Sequence, residues 1–134
     1  MCIRDSAVTV KAGGIPPKGA FWDGGGFQIL ANTSLADVAV YFPAARTITQ
    51  WTILTRGGTG SCVIDIWKDS YANFPPTVAD TITAAAKPTV TTGTKGQSST
   101  LTGWTTSIAA GDVLMFKVDS TSVFTHLEIW LEFA

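Results

Sequence analysis

The 134-residue sequence predicts an all-β protein, an antiparallel β-sandwich of jelly-roll-like form with one short helix near residues 77–86. Three observations carry this. Short runs of β-branched and aromatic residues alternate with a period of two, the mark of strands wet on one face and apolar on the other. Gly- and Pro-rich turns separate these runs. Hydrophobic residues make up 46% of the chain and charged residues 14%, a balance that favours a packed interior over a disordered tail.

Residues 1–6, MCIRDS, are what ATGTGTATAAGAGACAG encodes up to its last base, a string that resembles the transposase end used in sequencing libraries. The segment is expected to be an assembly artefact outside the fold, with further native polypeptide upstream. Cys2 falls in it, so Cys62 is left without an internal disulfide partner. Residues 7–26, with Gly13-Gly14, Pro16-Pro17 and Gly24-Gly25-Gly26, read as a linker or loose edge with room for one short strand. The sandwich domain is expected over residues 27–134.

Within it, residues 27–31 form an apolar run suited to a strand. Residues 37–42 set Val38, Val40 and Phe42 against Ala39 and Tyr41, and Pro43 ends the run. Residues 46–56 and 61–68 are two strands around Gly57-Gly58 and Gly60, with Cys62, Ile64 and Ile66 on one face. A hairpin pairing these two strands is the expected arrangement. Tyr71, Asn73 and Pro75-Pro76 make a loop. In residues 77–86 the alanines favour a helix, capped by Thr77 with Asp80 three residues on and stopped by Pro88. The Thr/Ser-rich residues 89–102 supply one or two edge strands. Residues 113–119 place Leu114, Phe116 and Val118 inward and Met115 and Lys117 outward. Residues 124–133 put Leu127, Ile129, Leu131 and Phe133 on one face and His126, Glu128, Trp130 and Glu132 on the other.

The charge balance excludes some functions. Nine basic and ten acidic residues give −1, with no basic stripe to neutralise phosphates, so nucleic acid is not an expected partner. The chain has no apolar run of membrane-spanning length and no amphipathic basic segment, so membrane insertion is not expected.

The stretch 66–82 (IWKDSYANFPPTVADTI), with QSSTLTGW at 97–104 and AGDVLMFKVD at 110–119, resembles a β-sandwich module of phage tail and other virion structural proteins. The likeness covers the chain from Thr33 onward. It implies a jelly-roll-like domain of an elongated virion protein, often a homotrimer, placed where host surfaces are met. It brings no catalytic motif. The expected function is therefore a non-catalytic domain of a tail-fibre or tail-tip protein in the virion, with host-receptor or glycan contact. A carbohydrate-binding module of a secreted enzyme is the alternative.

The residues themselves agree with a module that is not an enzyme. His126 is the only histidine, at an outward strand position, and no nucleophile elbow accompanies it. Glu128 and Glu132 share a face four residues apart, roughly 13 Å at strand rise, beyond the about 5–9.5 Å that glycosidase carboxylate pairs need. One histidine and, with Cys2 set aside, one cysteine give no zinc set, and no metal or other cofactor is expected. Asp65, Asp69, Asn73 and Asp80 lack the EF-hand order and read as a solvated loop rim more readily than as a calcium site. Trp51, Trp67 and Trp104 are expected in the interior. Trp130 shares its face with His126 and Glu128, which suits a subunit interface or a ligand surface equally. Tyr71, Asn73 and Phe74 form a second candidate, a recognition tip on a loop.

Overall fold

The computed structural model describes residues 15–25, 28–29 and 37–134. Residues 1–6 and most of the strand expected at 27–31 lie outside them. Ile29 is described and buried, and its N–H donates to the Phe124 carbonyl at 3.0 Å.

Nine strands form among the described residues: β1 (Lys18–Asp23), β2 (Val38–Phe42), β3 (Arg46–Arg56), β4 (Gly60–Ser70), β5 (Thr89–Gly93), β6 (Lys95–Ser98), β7 (Ser107–Ile108), β8 (Asp112–Thr121) and β9 (His126–Phe133). All pairings are antiparallel. The first sheet has the order β1-β9-β3-β6, with β7 also on β3; the second has the order β2-β8-β4-β5. Ile48, Trp51, Ile53, Leu127, Ile129 and Leu131 of the first sheet form one core cluster with Phe42, Cys62, Ile64, Ile66, Leu114, Phe116 and Val118 of the second. Each fully buried Ile, Leu or Phe contributes on the order of 1.5–3 kcal/mol over its exposed state. This two-layer core is what the period-two patterning predicts.

The hairpin expected between residues 46–56 and 61–68 does not form. β3 and β4 lie in opposite sheets. Each is a central strand with both edges taken, β3 by β9 and β6, β4 by β8 and β5. Their apolar stripes face each other across the core instead of lying side by side. Gly57 and Gly58, at φ of 108° and 133°, carry the chain over from one sheet to the other. The segment joining β8 to β9 crosses beside them: Thr125 N–H donates to the Arg56 carbonyl at 2.9 Å and Ser122 N–H to the Ser61 carbonyl at 3.0 Å. A two-stranded ribbon is thus folded over the core, the jelly-roll element of the fold.

The helix expected at 77–86 shrinks to one 3-10 turn, Val78–Asp80. Its start is as expected: the Thr77 N–H donates to the Asp80 carboxylate at 2.7 Å, and the Asp80 N–H to the Thr77 carbonyl at 2.9 Å. The chain then extends along β4. Thr81 bridges Trp67, and Ile82 N–H donates to the Ile66 carbonyl at 2.9 Å. Tertiary pairing of Ile82, which is buried, outweighs the local helix preference of the neighbouring alanines, which tertiary context readily overrides.

Candidate functional site

The outer face of the first sheet is set by β9. With Leu127, Ile129 and Leu131 buried in the core, period two turns His126, Glu128, Trp130 and Glu132 outward. Trp130 is 39% exposed. Its indole N–H donates to Glu128 Oε2 at 2.8 Å. Glu128 Oε1 lies 3.4 Å from His126 Nε2. The His126 ring stacks on Phe21, with centroids 6.3 Å apart and planes 22° from parallel. Glu132 accepts a hydrogen bond from Gln50 Nε2 at 3.2 Å. The three residues singled out on β9 therefore form one connected group.

The neighbouring strands add residues that the sequence reading did not name. Phe21 on β1 is 66% exposed, opposite Glu128. Leu54 on β3 is the other cross-strand neighbour of Glu128, and Thr52 is that of Trp130. On β6, Gln97 lies opposite Thr52 and donates to its hydroxyl at 2.8 Å. A groove of about 400 Å³ is lined by Thr52, Leu54, Lys95, Gly96 and Gln97. The alternation at residues 18–23, with Ala20 and Trp22 inward, was the available signal for Phe21. Nothing local signals the β3–β6 register, which depends on long-range pairing.

The second candidate group lies on the other sheet. Tyr71 is 73% exposed and sits edge-on to Tyr41, with centroids 6.2 Å apart. Tyr41, Tyr71 and Phe74 line an apolar groove of about 340 Å³ with Ala39 and Val113. Asn73 instead donates to the Asp69 carboxylate at 3.3 Å. Tyr71 and Phe74 share a site; the structure does not join them to His126, Glu128 and Trp130.

The carboxylates read as a loop rim behave differently. Asp65 is only 1% exposed, on the outward side of β4 but roofed by the 81–87 segment. One oxygen accepts from Ile66 N–H at 2.8 Å, Thr81 Oγ1 at 2.6 Å and Thr83 Oγ1 at 2.8 Å. The other accepts from the Trp67 indole at 2.9 Å and lies 3.5 Å from Lys87 Nζ. Burial opposes ionisation of Asp65, yet the hydrogen bonds from Thr81, Thr83, Trp67 and Ile66 outweigh it and hold its pKa below the ordinary carboxylate value. Asp69 and Asp80 are engaged by other groups, and among the described residues no cluster has the make-up of a metal site. Trp67 is likewise corrected. It lies outward on β4, under the Lys117 ammonium at 5.3 Å, because Cys62, Ile64 and Ile66 take the inward phase. Trp51 and Trp104 are buried as expected, and Trp22 joins them.

No family model, curated protein or solved structure matches this chain.

Proposed function

We propose that this chain is a non-catalytic recognition domain of a phage tail-fibre or tail-tip protein, and that the outer face of its first sheet contacts a host-surface glycan. The single observation behind the recognition surface is the exposed pair of aromatics, Phe21 and Trp130, set among the hydrogen-bonding groups of Glu128, Thr52 and Gln97. A flat apolar ring with polar groups at its edge suits a pyranose, which is apolar across its ring face and hydroxylated around its rim. The virion setting rests on the resemblance of residues 66–82, 97–104 and 110–119. Assembly as a homotrimer belongs to the same proposal, and the exposed apolar cluster of Tyr41, Tyr71 and Phe74 is the surface that supports it, since aromatic residues are enriched where subunits meet.

A glycan panel probed with the wild type and with Trp130→Ala and Phe21→Ala tests this. At least one host-surface glycan is expected to bind, and each substitution to weaken it about tenfold or more, equivalent to about 1.4 kcal/mol. Binding that survives both substitutions contradicts the proposal. The same aromatic face also favours a carbohydrate-binding module of a secreted enzyme. A glycan-binding monomer in light scattering would favour that second reading, and a trimer the first.

A further inference from the structure

We infer that the first sheet takes a linear oligosaccharide lying across its strands, from Phe21 over Trp130 to the groove between β3 and β6, and not a single sugar unit at Trp130. The inference rests on the glycan reading above and specifies its ligand.

Two cross-strand rows carry it. In one, Gly19, Trp130, Thr52 and Gln97 stand directly opposite one another on β1, β9, β3 and β6. In the other, two positions along each strand, stand Phe21, Glu128, Leu54 and Lys95. The seven side chains face outward: Ala20, Trp22, Ile129, Trp51 and Ile53 beside them on β1, β9 and β3 are in the core, and Lys95 and Gln97 are exposed on β6. Four strands at about 4.8 Å separation make each row roughly 14 Å long, which is the extent of an oligosaccharide and not of one ring. Gly19 lets β1 approach β9 closely, since a Cβ there would collide with the Ile129 carbonyl oxygen, and it adds no side chain beside Trp130. At the far end, Thr52, Leu54, Lys95 and Gln97 line the groove of about 400 Å³, next in register to the indole.

The chemistry of the rows fits the same ligand. In the second row apolar surfaces (Phe21, Leu54) alternate with hydrogen-bonding groups (Glu128, Lys95), and in the first Trp130 is followed by the polar Thr52 and Gln97. A chain of pyranose units offers the complementary alternation of ring faces and hydroxyls. Burying a hydroxyl requires a partner, and the Gln97 amide and Lys95 ammonium supply donors where Trp130 no longer reaches.

The test is calorimetric titration with linear oligomers of glucose, mannose and N-acetylglucosamine, from monosaccharide to hexasaccharide. For the series that binds, affinity is expected to rise at least tenfold with length and then level off. Gln97→Ala and Lys95→Glu are each expected to remove most of that gain, the longest oligomers losing at least tenfold more affinity than the monosaccharide; both sites are exposed on β6, and matched thermal melts check that the fold is kept. Affinity independent of length, or a gain unaffected by both substitutions while Trp130→Ala abolishes binding, overturns the inference and leaves the glycan reading standing. No binding by the wild type to any of these series or to any glycan of the panel overturns both.

Discussion

Asp65 shows how one residue secures a segment with no regular structure. Its carboxylate gathers the hydroxyls of Thr81 and Thr83, the Trp67 indole and the Lys87 ammonium, and so fastens the 81–87 segment to β4. Replacing it by Ala takes the acceptor from the Thr81 and Thr83 hydroxyls and the Trp67 indole, and a loss of about 1–3 kcal/mol is expected in urea unfolding, as for buried polar groups left unsatisfied. The pH dependence has a defined sign. The folded pKa of Asp65 lies below its unfolded value, so its contribution is complete above about pH 3.9, the unfolded carboxylate pKa, and is lost as pH falls through the lower folded value. Asp65→Asn is expected to flatten that acid limb of the stability profile. Lys87 works in the opposite sense. The hydrogen bond to Asp119 at 2.6 Å, then the charge of Asp65, raises its pKa, so its contribution holds below the unfolded lysine value and fades as pH climbs through the raised one. Cys62 is fully buried, and burial pushes its thiol up to about 11. Iodoacetamide is expected to leave it unmodified at neutral pH in the native protein and to label it only in denaturant, as followed by intact mass.

Among the elements, the crossing at Gly57-Gly58 decides the topology. A Cβ on Gly57 would stand 2.6 Å from the Thr125 backbone nitrogen, at a φ of 108° that side chains rarely adopt. Gly57→Ala is expected to cost about 1–3 kcal/mol from backbone strain, more once the clash is added, and to lower the melting temperature by several degrees. The crossing also explains why the sequence misleads here. Ile48, Trp51 and Ile53 and then Cys62, Ile64 and Ile66 present the same apolar phase whether the strands lie side by side or face to face. Local patterning reports which face is buried, not which strand is the neighbour. The alanines of 77–86 mislead for a related reason: their propensity is local, whereas the pairing of Ile82 with Ile66 comes from a strand distant in sequence. By contrast β9, β8 and β2 were legible almost residue by residue. Met115 is the exception: it turns outward as expected yet is buried, flanked in register by Ala39 and Trp67.

For the whole molecule, the two sheets present different outer surfaces. The first carries aromatics among carboxylates and amides; the second carries the apolar groove of Tyr41, Tyr71 and Phe74. His126, Glu128 and Trp130 could be read from β9 alone because period two places them together. Phe21, Leu54, Thr52 and Gln97 could not, since their approach to Trp130 exists only once β1, β3 and β6 are in register. If the groove on the second sheet is the subunit contact, Tyr71→Asp should shift light scattering from trimer to monomer while glycan binding persists. The proposed recognition face can be tested by amide chemical-shift mapping during titration with an oligosaccharide. The perturbed amides should gather at residues 19–21, 52–54, 95–97 and 126–132, with the loop at 71–74 unmoved. Perturbations centred on that loop, or spread through the core with none on the first sheet, would contradict a glycan-binding role for this face.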